Sequence, residues 1–171
     1  MTAILGIDLG DRRIGVAVAE GDPPHAFPLT TLQRRANPAE DARLLTEILH
    51  ARDVGELVVG LPLEASGVEG PQAKATRSWA EAVARHVGLP LTYHDERLTS
   101  HIAEGRLPPM KRGRSGGPPS AAQRRAHRER IDRIAASIIL QDELDDRRRT
   151  RHPDRSPASK ESEGTVTDIE V

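Results

Sequence analysis

Ile4-Leu5-Gly6-Ile7-Asp8-Leu9-Gly10, continuing through Asp11-Arg12-Arg13 into Ile14-Gly15-Val16-Ala17-Val18, is the stretch whose reading decides the fold. One apolar run ends on a single acid, turns through polar and basic residues, and resumes as a second apolar run, which is the pattern of a hairpin of buried strands. Asp8 therefore stands where a strand leaves the core. A carboxylate in that position costs several kcal/mol to desolvate unless it is paired, so it calls for a cation. The cation is either an arginine of the turn, Arg12 or Arg13, or a bound metal ion. On this stretch alone both readings stand.

Beyond the hairpin, strand and helix patterns alternate. Residues 27–32 read as a short third strand whose proline, Pro28, is best tolerated at a sheet edge. Asn37, Pro38 and Glu40 then open a helix as N-cap, first-turn proline and capping-box partner, with Ala42, Leu45, Ile48 and Leu49 as its inner face. Residues 57–62 are too short for a helix, are closed by Gly60 and Pro62, and read as a buried strand. A glycine-containing loop leads to Pro71 and a second helix, with Ala75, Trp79, Ala82, Val83 and Val87 as its apolar positions, stopped at Gly88. Residues 91–94 form the next strand, which runs into Asp95 and Glu96. This order predicts a largely parallel sheet grafted onto the opening antiparallel hairpin, with helices on both faces.

From Gly105 to Pro119 the pattern fails. Pro108, Pro109, Gly113, Gly116, Gly117 and Pro118 exclude a continuous helix or a central strand, so the segment reads as a mobile basic loop. A last helix is expected from about Ser120, its N-cap, and places Asp132 on one face with Ala135, Ala136 and Ile139. That is a second acid directed at a core. Apolar residues become scarce after Leu144, so the folded domain is expected to span residues 1–146, followed by a disordered tail over 147–171.

At 171 residues the chain has the length of one ordinary domain. It contains no cysteine, which excludes disulfides and thiolate metal sites. No membrane-spanning run and no leader pattern is read, and a cytoplasmic location is expected. The formal charge of -1 conceals an uneven distribution. Between Glu104 and Asp132 there are eight bases against three acids, and between Asp154 and Val171 two bases against five acids. Near-neutrality overall does not exclude a nucleic-acid partner.

Asp8, Glu96 and Asp132 thus form a constellation of two acids at strand ends and one on an apolar helix face. Converging carboxylates repel one another and shift toward protonation unless a divalent ion neutralises them. Oxygen donors without cysteine favour Mg²⁺ or Mn²⁺, and two such ions about 4 Å apart would activate a water and stabilise the leaving oxygen of a phosphodiester. The plainer reading is three separate structural acids, with Glu96 paired to Arg97 and Asp132 to Arg128.

At these residues the sequence resembles a family. Ile7-Asp8-Leu9-Gly10 with Arg13-Ile14-Gly15-Val16-Ala17, Val58-Val59-Gly60-Leu61-Pro62, His94-Asp95-Glu96-Arg97-Leu98-Thr99-Ser100, and Asp132-Arg133-Ile134-Ala135-Ala136 followed by Ile139-Leu140-Gln141 are similar to motifs of the YqgF/RuvX family. Its members are described as pre-16S ribosomal RNA nucleases and as Holliday junction resolvases. The resemblance covers about residues 3–145. It implies a ribonuclease H-like fold, metal-dependent nuclease activity, and Asp8, Glu96 and Asp132 as catalytic and metal-binding acids. Two departures stand out: Asp11 lies where the family often has threonine, and the segment from Gly105 to Arg130 is longer than usual and rich in Gly, Pro and Arg.

The function expected is hydrolysis of phosphodiesters in structured nucleic acid, in 5′-end maturation of pre-16S rRNA, with ribosomal precursor particles as partners. The alternatives are cleavage of four-way DNA and a nucleic-acid-binding factor that does not cleave. Arg12, Arg13, Arg97, Lys111, Arg112, Arg114, Arg124, Arg125 and Arg128 are the bases expected to meet the phosphate backbone. Thr99 or Ser100 reads as a helix cap, and His94 and Asp95 are ambiguous because they adjoin Glu96. Phe27, Trp79 and Tyr93 are the only aromatics and make no stacking platform, which favours backbone and shape recognition over base readout. An Asp-x-Gly turn on a first hairpin also occurs in sugar kinases and actin-like ATPases, but these need a second related domain and a second phosphate loop.

Overall fold

The computed structural model describes residues 2–95 and 118–151. Its element order is β1 (Ala3–Leu9), β2 (Arg13–Gly21), β3 (Pro24–Gln33), α1 (Pro38–Ala51), β4 (Val54–Leu61), α2 (Pro71–Val87), β5 (Leu91–Asp95) and α3 (Ala121–Arg151). The five strands form one sheet in the order β3-β2-β1-β4-β5. β1 pairs antiparallel with β2 and β2 with β3, while β1 with β4 and β4 with β5 are parallel. The mixed sheet opening on a hairpin is the one the sequence predicts. β3 lies at the edge, where Pro24 and Pro28 leave no interior ladder donor unpaired.

Alternation along β1 assigns its two faces. Leu5, Ile7 and Leu9 join Val16 of β2, Leu57 and Val59 of β4, Leu45 of α1 and Trp79 and Val83 of α2 in one core. Ile4 packs on the other side, with Ala17, Val58, Ile139, Leu140 and Leu144, under α3. Leu5, Ile7, Leu45, Leu57 and Ile139 are fully buried, each contributing about 1.5–3 kcal/mol by removal from water.

The caps follow the sequence closely. Asn37 Oδ1 accepts from the Glu40 amide at 3.0 Å, and Glu40 answers by accepting from the Asn37 side-chain amide rather than from its backbone. Gly88 ends α2 with φ +71°, a conformation that favours glycine. Ser120 and Gln123 exchange side-chain bonds with each other's backbone amides at 2.7 and 3.2 Å and so start α3. The inner face of α2 is turned from the expected one. Ala73, Thr76, Ala80 and Ala84 are buried with Trp79 and Val83, whereas Ala75 is exposed and Ala82 half-buried. Alanine carries too little apolar surface to fix a helix face by itself.

Helix α3 continues to Arg151, past the limit near residue 146 expected from apolar content. Polar contacts hold its last turns. Arg147 donates to both carboxylate oxygens of Glu56 at 2.9 and 2.5 Å and to Glu143 at 2.8 Å, while Thr92 donates to Glu56 at 2.8 Å. The guanidinium beside it holds the Glu56 carboxyl below its ordinary range. Arg147→Met is therefore expected to cost about 2 kcal/mol at pH 7, since it leaves Glu56 with only the Thr92 hydroxyl and Glu143 with only His94. Because the Glu56 pKa is depressed in the fold, this stabilisation is present above the ordinary glutamate pKa and lost as the pH falls through the folded value. Thermal midpoints of both proteins at pH 7 and pH 3.5 check this: the gap should shrink in acid. Among the described residues no helix is long and apolar enough to cross a membrane.

Candidate active site

β1, β4 and β5 run in the same direction, so Asp8, Leu61 and Asp95 lie at one end of the sheet, where these strands finish. Asp8 takes the face of β1 that carries Ile4 and Gly6, the face under α3. Opposite it in the hairpin is Gly15. A Cβ at Gly15 would lie 2.1 Å from the Asp132 carbonyl oxygen and 2.5 Å from its carbon, and one at Gly6 would lie 2.7 Å from Leu140 Cβ. Two glycines thus let the backbone of α3 settle directly on the hairpin. This close approach brings Asp132 beside Asp8.

The electrostatics register the meeting. Burial, and secondarily the Asp132 charge, push the Asp8 carboxyl from its ordinary 3.8 to about 7. Arg13 Nε donates to Asp132 Oδ2, and this bond holds the Arg13 guanidinium above its ordinary value. One of the predicted backbone-binding bases is accordingly engaged with one of the predicted acids. Asp132 pairs across the fold with Arg13 rather than with Arg128 one turn earlier. Among the described residues Asp8 has no arginine of the turn as its partner and Asp132 none one turn earlier.

Asp8 and Asp132 offer oxygen donors only, one of them in a desolvated position that favours a neutral form. A divalent cation would replace the proton at Asp8, so the residues present fit Mg²⁺ or Mn²⁺. Among the described residues no group of three potential ligands is assembled. Glu96, the third acid, lies outside the described residues, as do Arg97, Lys111, Arg112 and Arg114. Arg124, Arg125 and Arg128 are exposed on the first turns of α3, which lead to Asp132. Arg125 also pairs with Glu129 at 2.9 Å.

His94 is directed toward α3, with Nδ1 3.1 Å from Glu143, in the polar cluster around Arg147. It belongs to the packing of α3 against β5. Arg12 is exposed, and the chain beside it, Arg34 and Arg35, was not singled out by sequence. The role of Gly15 was likewise hidden, because a glycine within a strand signals a close approach without saying what approaches.

A family model, RuvX, described as Holliday junction resolvase, matches residues 2–146. A protein of Chloroflexus aggregans named as a candidate pre-16S rRNA nuclease is 43% identical over 146 residues, covering 85% of this chain and 94% of its own. One of the same name from Moorella thermoacetica is 42% identical over 142 residues, covering 83% and 94%. Among solved structures, RuvC of T. thermophilus in complex with Holliday junction substrate superposes with a TM-score of 0.50 at 16% identity, covering 86% of this chain and 96% of that one. That likeness shows a shared ribonuclease H-like fold.

Proposed function

The chain belongs to the RuvX family, and on that premise we propose that it is a metal-dependent nuclease that hydrolyses phosphodiester bonds in structured nucleic acid, using Asp8, Glu96 and Asp132. The observation that carries this reading is the desolvated Asp8 carboxyl held beside Asp132 by the close approach at Gly15. Arg13 neutralises Asp132, but the ionised form of the desolvated Asp8 costs stability unless a further cation is bound. Bound Mg²⁺ or Mn²⁺, as one ion or two, supplies an activated water and neutralises charge at the phosphate and the leaving oxygen.

The protein's own part is to hold the donors rigidly. Asp8 sits on a central strand and Asp132 on a helix that buries seven residues, so neither carboxylate has to be ordered at the moment of reaction. In the cleavage step water oxygen bonds to phosphorus, the bond from phosphorus to the leaving oxygen breaks, and that oxygen takes up a proton. Arg13 is placed to compensate Asp132 before cation and substrate arrive. The exposed bases at the start of α3 would receive the backbone on the approach to Asp132.

The substrate we favour is pre-16S rRNA at its 5′ end, within a ribosomal precursor, since the relatives that match over most of the chain carry that name. The family description favours four-way DNA as the second reading. Incubating purified protein with structured RNA and with a four-way DNA junction, each with and without Mn²⁺, separates them. Cleavage of RNA alone supports the first and of the junction alone the second. Binding without cleavage under every condition makes the protein a non-cleaving factor.

A prediction follows for α3. Replacing Arg124, Arg125 and Arg128 with Ser should weaken binding to RNA and DNA alike, because backbone contacts carry no sequence information. Turnover at saturating substrate should change little. Equilibrium binding of both nucleic acids by variant and wild type checks it, and unchanged affinity would show that these bases serve only solubility.

A further inference from the structure

We infer that Arg34 and Arg35, with Arg12, form a second phosphate-binding track at the junction of β3 and α1, so that a bound strand is held on the hairpin side of the acids as well as on the α3 side. The inference rests on the nuclease reading, which supplies the nucleic acid for the track to hold.

Topology brings the segment to the site. β3 and β1 are both antiparallel to β2, so β3 finishes at the same end of the sheet where β1 delivers Asp8. The register pairs Arg13 with Gln33, and the chain then continues the ladder for one more bond, from the Arg34 amide to the Arg12 carbonyl at 3.0 Å. The Arg34 guanidinium reaches back to the Gly10 carbonyl at 3.2 Å. That carbonyl belongs to the turn that the Gly10 amide closes on Arg13 at 2.9 Å. Arg34 thus seals the turn that follows Asp8.

Arg35 is fixed differently. Its backbone amide donates at 2.8 Å to Oδ1 of Asp41, a side chain only 1% exposed, whose Oδ2 accepts from Trp79 Nε1 at 2.8 Å. A buried carboxylate costs free energy, and here it ties the segment carrying an exposed arginine to the core. A spacer loop would not need such an anchor.

The charge of this tract is left available. Among the described residues no carboxylate lies within ion-pair distance of Arg12, Arg34 or Arg35, whereas Arg52, Arg77, Arg147, Arg148 and Arg149 each pair with a neighbouring acid. Arg12 and Arg35 are exposed and Arg34 is half-exposed. Arg12 and Arg34 stand on adjacent strand ends whose backbones lie about 5 Å apart, and a guanidinium presented there can meet a phosphate through paired hydrogen bonds.

The test is binding of a fluorescent structured RNA at several salt concentrations, in chelator so that nothing is cut. The proteins are wild type, Arg35→Ser, the double variant Arg34→Ser/Arg35→Ser, and Arg85→Ser as a control from an exposed position near the end of α2. Arg35 makes no side-chain hydrogen bond or ion pair among the described residues, so its replacement leaves the turn's bonds intact. Each lost contact should flatten the dependence of log K on log salt by about 0.7–0.9, giving roughly 1.4–1.8 for the double variant and no change for Arg85→Ser. Slopes equal to wild type in Arg35→Ser and in the double variant would overturn the track while leaving the nuclease reading intact. If wild type binds but never cleaves with Mn²⁺, the nuclease reading fails and a flattened slope still supports the track. Absence of binding by wild type at low salt would overturn both.

Discussion

Asp8→Asn is expected to abolish cleavage and, in metal-free buffer above pH 7, to raise the midpoint of thermal unfolding. Loss of activity follows if Asp8 holds the metal, because a neutral amide is a far weaker ligand. The gain in stability follows from linkage. The folded protein holds the Asp8 pKa at about 7, against an ordinary 3.8, so between those values the native state keeps a proton that the unfolded chain releases. Stability must then fall as the pH rises through that window, by on the order of 4 kcal/mol. Asparagine carries no charge to bury and escapes that loss.

Melting both proteins in chelator at pH 4.5, 6 and 8 measures the difference. The wild type should lose ground to the variant step by step, and added Mg²⁺ should restore the wild type far more than Asp8→Asn. A variant less stable than wild type at pH 8 would mean that ionised Asp8 has a protein partner. Unaltered cleavage by Asp8→Asn would remove it from the site altogether.

Gly15→Ala should lose stability as well as activity. The new Cβ would fall 2.1 Å from the Asp132 carbonyl oxygen, a backbone atom that no side-chain rotation can move away. Helix α3 must lift from the hairpin, and overpacking of this severity costs about 3 kcal/mol, or roughly 6–12 °C in midpoint for a chain of this size. A shift of even 1 Å in Asp132 would reduce turnover about a hundredfold or more. Thermal melts and single-turnover cleavage of the same preparation test both parts. A midpoint within two degrees of wild type would show that the helix accommodates the methyl group.

The sequence made the frame of this molecule legible where one physical signal dominated. The hairpin showed itself because unbroken apolar runs flank a polar turn, and α1 because Asn37, Pro38 and Glu40 agree on where a helix starts. Gly88 marked the end of α2 for the same kind of reason. Where signals were weak the reading drifted: alanines put the wrong side of α2 inward, and Arg147 and Glu56 hold the end of α3 through ion pairs that leave no apolar trace. Within the site, Asp8 and Asp132 could be named as acids aimed at a core. Their meeting could not be read from spacing, since it depends on two glycines and on how closely a helix may approach a sheet. Arg34 and Arg35 were passed over because an arginine pair after a strand has no periodicity, and its anchor, Asp41, lies in the next helix.

The bond between Arg13 and Asp132 spans 119 positions of the chain. Closing so long an interval is slow relative to hairpin formation, and it cannot begin until the last helix exists. A polypeptide still emerging from the ribosome, with the hairpin formed and Asp132 not yet synthesised, therefore lacks one of the carboxylates proposed to hold the cation. On the nuclease reading, cleavage cannot precede synthesis of the helix that carries Asp132, so the order of translation itself delays it.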